Sequence, residues 1–278
     1  MNQFLKTMYR YGRFARTHAR LAEQQSRAAD VVSRAVAYTT AYRDASSASA
    51  AEAEPATNPI WEYFQSHREG RGIWKWEHYF EIYHRHLARF VGRAVNVVEV
   101  GVFSGGSLEM WRAYLGDGCQ VHGVDIDEAC RAYADAHVSI AIGDQADRAF
   151  WRQFKRAVPE VDILIDDGGH EPEQQIVTLE EMLPHLRPGG VYLCEDVHNT
   201  GNRFTDYATA LVRELNRMGY VNELGIEDGT SPFQAAVHAI HFYPFVVVIE
   251  KHVNQPNCLY STRRGTEWQP QRNQESER

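Results

Sequence analysis

Residues 95–107 read Val-Asn-Val-Val-Glu-Val-Gly-Val-Phe-Ser-Gly-Gly-Ser. A short apolar run that breaks into a glycine-rich turn is typical of a buried strand that leads into a helix. Glycine lets the backbone turn sharply and approach a ligand closely at the carboxyl end of such a strand. This stretch therefore predicts the first strand of a sheet and one wall of a ligand pocket.

Strand-like and helix-like segments alternate along the chain from this point, which predicts a parallel sheet with helices on both faces. The predicted strands are residues 95–100, 120–125, 138–142, 161–166 and 189–195, and the predicted helices are residues 107–115, 127–136, 146–157, 173–186 and 204–218. Two more strands, at 236–241 and 245–251, are joined by too few residues for a helical crossover and must be antiparallel. The sequence thus predicts an α/β, Rossmann-like, seven-stranded sheet with a C-terminal antiparallel hairpin, the layout of a class I methyltransferase.

The segments on either side of this region differ in composition. Residues 1–43 carry eight Lys or Arg and only two acidic residues, compatible with a transit peptide or with a solvated helical arm that makes oligomer contacts. Residues 44–59 are small, polar and interrupted by proline, as in a linker. Residues 60–90 carry aromatic side chains at helical spacing, which predicts either a helix packed on the sheet or part of a lid at the pocket mouth.

These differences predict three regions. Residues 1–59 form an Arg-rich arm and linker, residues 60–252 form a methyltransferase domain with N-terminal aromatic lid helices, and residues 253–278 form a polar tail.

The overall composition argues against several classes of protein. The chain has 278 residues, of which 44% are hydrophobic, enough for one large α/β domain with extensions. No apolar run reaches the roughly 18 residues that a transmembrane helix needs. The net charge of −8 argues against nucleic-acid binding. The four cysteines lie far apart without a Cys-x-x-Cys pair, which fits free thiols in a reducing cytosol and predicts a cytoplasmic protein.

Polar residues follow the first three predicted strands, where a nucleotide-type cofactor would bind. The first strand ends in an acidic residue and a glycine loop formed by Glu99, Gly101, Gly105, Gly106 and Ser107. This loop lacks the dinucleotide pattern Gly-x-Gly-x-x-Gly but looks like the glycine loop of S-adenosylmethionine (SAM) enzymes. Asp125 ends the second strand, where a carboxylate can accept both ribose hydroxyls, and Asp144 and Gln145 follow the third, where a side chain can meet the adenine amino group. Each could instead cap a helix, but three such positions at successive strand ends favour SAM binding.

A second group of candidates follows the fourth and fifth strands. Asp167 lies within Asp-Asp-Gly-Gly-His at 166–170, and Glu195 and Asp196 end the fifth strand. Adjacent parallel strands deliver their carboxyl ends to one crevice, so these carboxylates should converge beside the cofactor. They would repel one another unless a cation lies among them, and all-oxygen ligands suit Mg²⁺. His170 should lie near the metal, and an imidazole titrates near neutral pH, as a general base must. Any one of these residues could alternatively be a turn or cap residue.

The Asp-Asp-Gly-Gly-His sequence, with Glu195-Asp196 beginning 28 residues after Asp167, resembles the metal-dependent sugar O-methyltransferases that modify macrolide and other polyketide glycosides, of the mycinamicin and tylosin type. The resemblance extends over about residues 60–250 and includes Lys-Trp-Glu-His-Tyr at 75–79. It implies that Asp167, Glu195 and Asp196 bind Mg²⁺ and that His170 is the base. The chain departs from that family at its N-terminus, where the macrolide enzymes can carry a larger auxiliary domain.

The sequence and the resemblance together predict Mg²⁺-dependent transfer of a methyl group from SAM to a sugar hydroxyl of a glycosylated natural product or oligosaccharide. The predicted partner is a small glycoside, and the predicted assembly is a homo-oligomer without nucleic acid or a membrane span. A non-sugar acceptor, as in cephalosporin methoxylation, and a non-catalytic SAM-binding partner protein are the alternatives. The glycine spacing disfavours a nicotinamide-dependent oxidoreductase.

Overall fold

The computed structural model describes residues 30–42, 57–198, 202–218, 229–262 and 264–266. The chain divides into two compact units, Met1–Ala56 and Thr57–Arg278. The described part of the first unit contains a helix, α1, over residues 30–41, and all of its side chains are exposed. The rest of the predicted arm, most of the predicted linker and the end of the predicted tail lie outside the described residues. None of the described helices is long and apolar enough to span a membrane.

The described residues of the second unit contain strands and helices in alternation. The strands are β1 (Val95–Val100), β2 (Cys119–Asp125), β3 (Val138–Ile142), β4 (Val161–Asp166), β5 (Leu186–Cys194), β6 (Val237–Tyr243) and β7 (Val246–Lys251). The helices are α2 (Pro59–Ser66), α3 (Tyr79–Leu87), α4 (Gly106–Leu115), α5 (Arg148–Ala157), α6 (Pro172–Met182), α7 (Arg203–Leu215) and α8 (Pro232–Ala236). Short 3₁₀ helices lie at Ala88–Phe90 and Glu128–Tyr133.

The strands form one seven-stranded sheet in the order β3-β2-β1-β4-β5-β7-β6. Strands β1 to β5 are parallel, and β7 is antiparallel to both β5 and β6. The predicted class I methyltransferase fold, with its C-terminal antiparallel hairpin, is therefore confirmed. The chain runs outward in one direction from β1 to β3 and in the other from β4, so a crevice opens at the carboxyl ends of β1 and β4.

The sheet is buried on both faces. All six positions of β4 are buried, as a strand between two helical layers requires. One apolar cluster packs α2, α3 and α4 on the sheet and includes Tyr83 and Trp111, and the other includes Trp151 and Phe154 of α5. The aromatic segment therefore contributes a helix that packs on the sheet, since α3 buries Tyr79, Phe80, Tyr83 and Leu87.

Some predicted elements differ from the observed ones. The helix predicted at 127–136 is only the six-residue 3₁₀ helix Glu128–Tyr133, whose N-terminus is capped by Asp127. The helix predicted at 173–186 ends at Met182, because Pro184 has no backbone N–H with which to continue the helical hydrogen bonds. Strand β5 consequently starts at Leu186, three residues earlier than predicted. The short helix α8 was not predicted, and its Pro-Phe-Gln sequence after Ser231 is a capping box.

Candidate functional site

Most of the predicted site residues line one cavity of about 990 Å³ at the carboxyl ends of the parallel strands, whereas Glu99, Gly105 and Gly106 are not among its lining residues. The glycine loop after β1 and the 72–77 segment line it, together with Asp125, Asp144, Gln145, Asp167, His170 and Asp196. A cavity of this size is at the upper end of the range for small-molecule and cofactor sites. His198 and Asn199 follow Asp196 closely in sequence; His198 also lines the cavity, whereas Asn199 lies outside the described residues.

The glycine loop needs its glycines for different reasons. Gly101 has φ +89°, and a Cβ there would lie 1.9 Å from the backbone oxygen of Asp167. A Cβ on Gly106 would lie 2.4 Å from the backbone oxygens of Arg71 and Gly72. Gly105 takes φ +75° as the N-cap of α4. The loop is therefore held against the end of β4 on one side and against the 71–72 backbone on the other.

Asp125 lies at the cavity wall, and it also holds the glycine loop. Its Oδ2 accepts hydrogen bonds from the backbone N–H groups of Val102 at 2.8 Å and Phe103 at 3.1 Å. Its Oδ1 accepts from the backbone N–H of Asp127 at 2.9 Å. Burial raises the pKa of Asp125, but these backbone donors outweigh burial and keep it below its usual value. A carboxylate held ionised in this way remains able to accept a further hydrogen bond from a ligand.

Asp144 and Gln145 differ in what their side chains do. Asp144 is exposed at the cavity and accepts from the backbone N–H of Ala146, while the neighbouring Asp147 caps α5. Gln145 is buried and donates to Asp166 Oδ1 at 2.9 Å, and its Oε1 accepts from the backbone N–H of Gly169 at 2.8 Å. Its amide therefore holds the 166–169 turn in place, and because Gln145 also lines the cavity, its contact with the cofactor stays a prediction.

Three side chains at the ends of β4 and β5 converge on one point. Asp167, His170 and Asp196 each place a ligand atom within 4.8 Å of the other two. His170 Nε2 lies 3.9 Å from Asp167 Oδ1 and 3.5 Å from Asp196 Oδ2. His170 and Asp196 both have positive φ, at 59° and 53°, which is costly for residues other than glycine and occurs most often at functional sites.

Glu195, the third predicted metal ligand, is not in this group. Its Oε1 accepts a hydrogen bond from the Tyr83 hydroxyl at 2.7 Å, and its Oε2 accepts from Lys75 Nζ at 3.0 Å. Asp166 points away from the site, since side chains alternate between the two faces of a strand, and both of its oxygens accept hydrogen bonds, from Gln145 and Tyr192.

Lys75 is the residue that the sequence did not assign to the acidic site. Its Nζ lies 2.5 Å from Asp167 Oδ2, 3.0 Å from Glu195 Oε2 and 3.8 Å from Glu99 Oε1, and the side chain is 3% exposed. Burial lowers the pKa of Lys75, but the three carboxylates outweigh burial and hold it above its usual value. Burial and the Asp167 carboxylate raise the pKa of Glu195, against the opposing effect of Lys75.

The same segment also holds Asp196. Its Oδ1 accepts hydrogen bonds from Trp76 Nε1 at 3.0 Å and from the Tyr79 hydroxyl at 2.7 Å. Trp76 and Tyr79, like Lys75, belong to the Lys-Trp-Glu-His-Tyr sequence at 75–79, whose position before the glycine loop was the only signal for this role. The contacts themselves join positions 117 to 120 residues apart and cannot be seen in local sequence.

The residues at this point fit a divalent cation. The sequence argument for a metal was that three carboxylates need positive charge, and Lys75 already supplies part of it. What supports a cation is the direction of the second oxygen of each aspartate. Asp167 Oδ2 accepts from Lys75 and Asp196 Oδ1 accepts from Tyr79. The other oxygens, Asp167 Oδ1 and Asp196 Oδ2, face His170 Nε2. His170 Nδ1 is buried and has no hydrogen-bond partner among the described residues, which leaves Nε2 as the nitrogen that faces the site.

The class I methyltransferase fold is defined by features that this chain combines. They are a Rossmann-like sheet that ends in an antiparallel hairpin, a glycine loop after β1, and acidic residues after β4 and β5. Residues 98–197 match a family model described as a methyltransferase domain. The chain is 33% identical over 206 residues to 8-demethyl-8-alpha-L-rhamnosyl tetracenomycin-C 2'-O-methyltransferase of Streptomyces olivaceus, covering 67% of this chain and 53% of that enzyme. It is 28% identical over 221 residues to demethylmacrocin O-methyltransferase of Streptomyces fradiae, covering 73% of this chain and 54% of that enzyme.

A solved structure has the same fold. MycE methyltransferase from the mycinamycin biosynthetic pathway, in complex with Mg, SAH and mycinamycin VI, superimposes with a TM-score of 0.56 at 22% identity, covering 70% of this chain and 53% of MycE. The chain spans about half the length of these relatives. The predicted resemblance to the sugar O-methyltransferases of antibiotic pathways is thus confirmed, and the chain carries a methyltransferase domain.

Proposed function

We propose that this protein transfers a methyl group from SAM to a sugar hydroxyl of a small glycoside, with Mg²⁺ held at the acidic site and His170 as general base. The observation that carries this proposal is the convergence of Asp167, His170 and Asp196 beside the cavity formed by the glycine loop. The relatives named above support it, since they are O-methyltransferases, and two relatives are named for rhamnosyl substrates.

In this proposal, SAM lies along the cavity wall formed by the glycine loop, Asp125 and Asp144. Asp125 accepts hydrogen bonds from the ribose, because its backbone donors keep it ionised. Asp167 and Asp196 would hold Mg²⁺, which when bound would supply a Lewis acid that lowers the pKa of the sugar hydroxyl. Glu195 remains a predicted third ligand, and in this structure it shares Lys75 with Asp167.

The protein's own residues move the proton. His170 Nε2 accepts the proton of the sugar hydroxyl, since this nitrogen faces the carboxylates while Nδ1 is buried. The hydroxyl oxygen then attacks the methyl carbon, the bond from that carbon to the SAM sulfur breaks, and S-adenosylhomocysteine leaves. Trp76 and Tyr79 fix the Asp196 carboxylate during this step. Much of the acceleration would come from holding the sugar and SAM in position next to each other.

The experiment that tests the proposal is methyl transfer from labelled SAM to rhamnosides, mannosides and macrolide glycosides, with Mg²⁺ and with a chelator. We expect labelling of one sugar class that the chelator abolishes and Mg²⁺ restores. Labelling that ignores the chelator would overturn the metal site but leave the methyltransferase. SAM binding without labelling of any glycoside would overturn the sugar acceptor and favour the non-sugar or non-catalytic alternatives.

A further inference from the structure

A second group of metal-ligating side chains lies outside the cavity. It consists of His86 on α3, His241 on β6 and Glu250 on β7, and one ligand atom of each lies within 4.8 Å of the other two. His86 Nδ1 lies 3.2 Å from Glu250 Oε1, and His241 Nε2 lies 3.3 Å from Glu250 Oε2. The two imidazole rings are 4.7 Å apart between centroids. The proposed methyl transfer uses none of these residues.

The surroundings of this group orient it as a metal site would require. A histidine that binds a metal through one nitrogen usually has the other nitrogen held by a hydrogen bond. His86 has this arrangement, because its Nε2 lies 2.9 Å from the Tyr243 hydroxyl while Nδ1 faces the carboxylate. Arg89 donates to Glu250 Oε1 at 2.7 Å, which fixes the carboxylate and leaves Oε2 directed at His241.

We propose that His86, His241 and Glu250 bind a divalent transition-metal ion of the Zn²⁺ class, separate from the Mg²⁺ of the acidic site. Two imidazoles and one carboxylate are the ligands of three-residue zinc sites, and a water would take the fourth position. His86 Nδ1 lies 3.2 Å from Glu250 Oε1 and His241 Nε2 lies 3.3 Å from Glu250 Oε2, so both imidazole nitrogens face the one carboxylate. Mg²⁺ prefers oxygen ligands and would not compete for the imidazoles.

An ion there would link α3 to the β6–β7 hairpin. Helix α3 also carries Tyr79 and Tyr83, which hold Asp196 and Glu195. The ion would therefore stabilise the helix that supports the acidic site, without contacting the reacting groups. An ion that binds only the folded protein raises its melting temperature as the concentration of the ion rises.

The proposal is tested by titrating the metal-free full chain with Co²⁺ in the presence of excess Mg²⁺, because four-coordinate Co²⁺ absorbs strongly in the visible. The titration is done in a His170→Ala background, which removes the imidazole that lies beside Asp167 and Asp196. We expect one equivalent of four-coordinate Co²⁺ per chain, displaced by one equivalent of Zn²⁺. The variants His241→Ala and Glu250→Gln should each weaken this binding at least tenfold.

The matched control is His238→Ala, since His238 lies on the same strand and its ring lies 4.8 Å from that of His252. This variant should bind Co²⁺ like the parent, and Zn²⁺ should raise its melting temperature like that of the parent. Co²⁺ binding that survives both His241→Ala and Glu250→Gln would overturn the proposal. The proposal would also be overturned if the chain bound no Co²⁺ at micromolar concentrations, or if Zn²⁺ left the melting temperature unchanged.

Discussion

At the scale of single residues, Lys75 explains how three carboxylates near the ends of three strands, two of them buried, can lie together. Its ammonium group is within 4 Å of Glu99, Asp167 and Glu195. Replacing Lys75 with methionine keeps the length of the side chain but leaves these charges without their partner. Because breaking a buried ion pair costs about 3–5 kcal/mol, we expect the free energy of unfolding to fall by about that amount.

Urea unfolding of Lys75→Met measures this change. The control is Lys155→Met, which breaks the partly exposed pair with Glu181 and should cost far less. Equal losses in the two variants would show that Lys75 does not compensate the buried carboxylates.

His170 is the proposed base, and its replacement separates chemistry from binding. We expect His170→Ala to lower kcat by roughly 10²–10⁴-fold, which is the usual contribution of a general base. The affinity for SAM should change little, because His170 lies beside the acidic residues rather than on the glycine loop. Single-turnover kinetics and SAM titration measure the two quantities. A His170→Ala variant with full activity would remove His170 from the mechanism.

Asp196 and Glu195 are adjacent in sequence, but their carboxylates face different groups. Asp196→Asn should raise the Mg²⁺ concentration needed for half-maximal activity at least tenfold, since Asp196 Oδ2 faces the proposed cation. If Glu195 acts only through Lys75 and Tyr83, Glu195→Gln should lower activity without a comparable change in the Mg²⁺ requirement. Activity measured as a function of Mg²⁺ concentration decides this. An equal increase in both variants would make Glu195 a ligand, as the sequence predicted.

At the scale of secondary-structure elements, the turn between β1 and α4 depends on how closely the backbone approaches β4. Gly101 and Gly92 both have positive φ, but only at Gly101 would a Cβ meet neighbouring atoms within 4 Å. We expect both Gly101→Ala and Gly92→Ala to lose about 1 kcal/mol of stability from the left-handed backbone conformation. Only Gly101→Ala should also weaken SAM binding, because its Cβ must displace the Asp167 backbone.

Thermal unfolding and SAM titration of the two variants measure these effects. Normal SAM affinity in Gly101→Ala would show that the close approach is not needed for the cofactor pocket. A loss of affinity in Gly92→Ala as well would attribute the effect to backbone strain in general.

At the scale of the whole molecule, ion pairs between helices make stability depend on pH. Glu181 of α6 accepts from Lys155 Nζ at 2.7 Å and pairs with Arg148 on α5. These donors, the Lys155 hydrogen bond foremost, hold the pKa of Glu181 below its usual value. A depressed pKa in the folded state stabilises the protein above the unfolded pKa of about 4.3, and this stability is lost as pH falls below it.

We therefore expect Glu181→Gln to be less stable than the parent at pH 7, and the difference to shrink as pH falls from 5 toward 3. Urea unfolding at several pH values measures the difference. The control, Glu214→Gln, breaks an exposed pair with Arg217 and should differ little from the parent at any pH. A difference that stayed constant down to pH 3 would show that the Glu181 charge is not its cause.

Sequence by itself determined the sheet and the location of the site. The predicted starts of β1, β3 and β4 agree with the observed strands because each is a buried apolar run bounded by turn residues. Asp167, His170 and Asp196 could be predicted to converge, since parallel strands deliver their carboxyl ends to one edge.

Tertiary structure alone decided which hydrogen-bond or ion-pair partner each buried polar side chain of the site takes. Lys75 lies 92 residues from Asp167 and 120 from Glu195, so no periodic pattern relates them. The side chains of Glu195 and Gln145 could have served as ligand or cofactor contacts on sequence grounds. Their observed partners, Lys75 and Tyr83 for Glu195 and Asp166 for Gln145, follow from burial, because a polar group removed from water takes the nearest donor or acceptor. Local sequence predicts where strands end, whereas the packing of distant segments determines what each side chain there can bind.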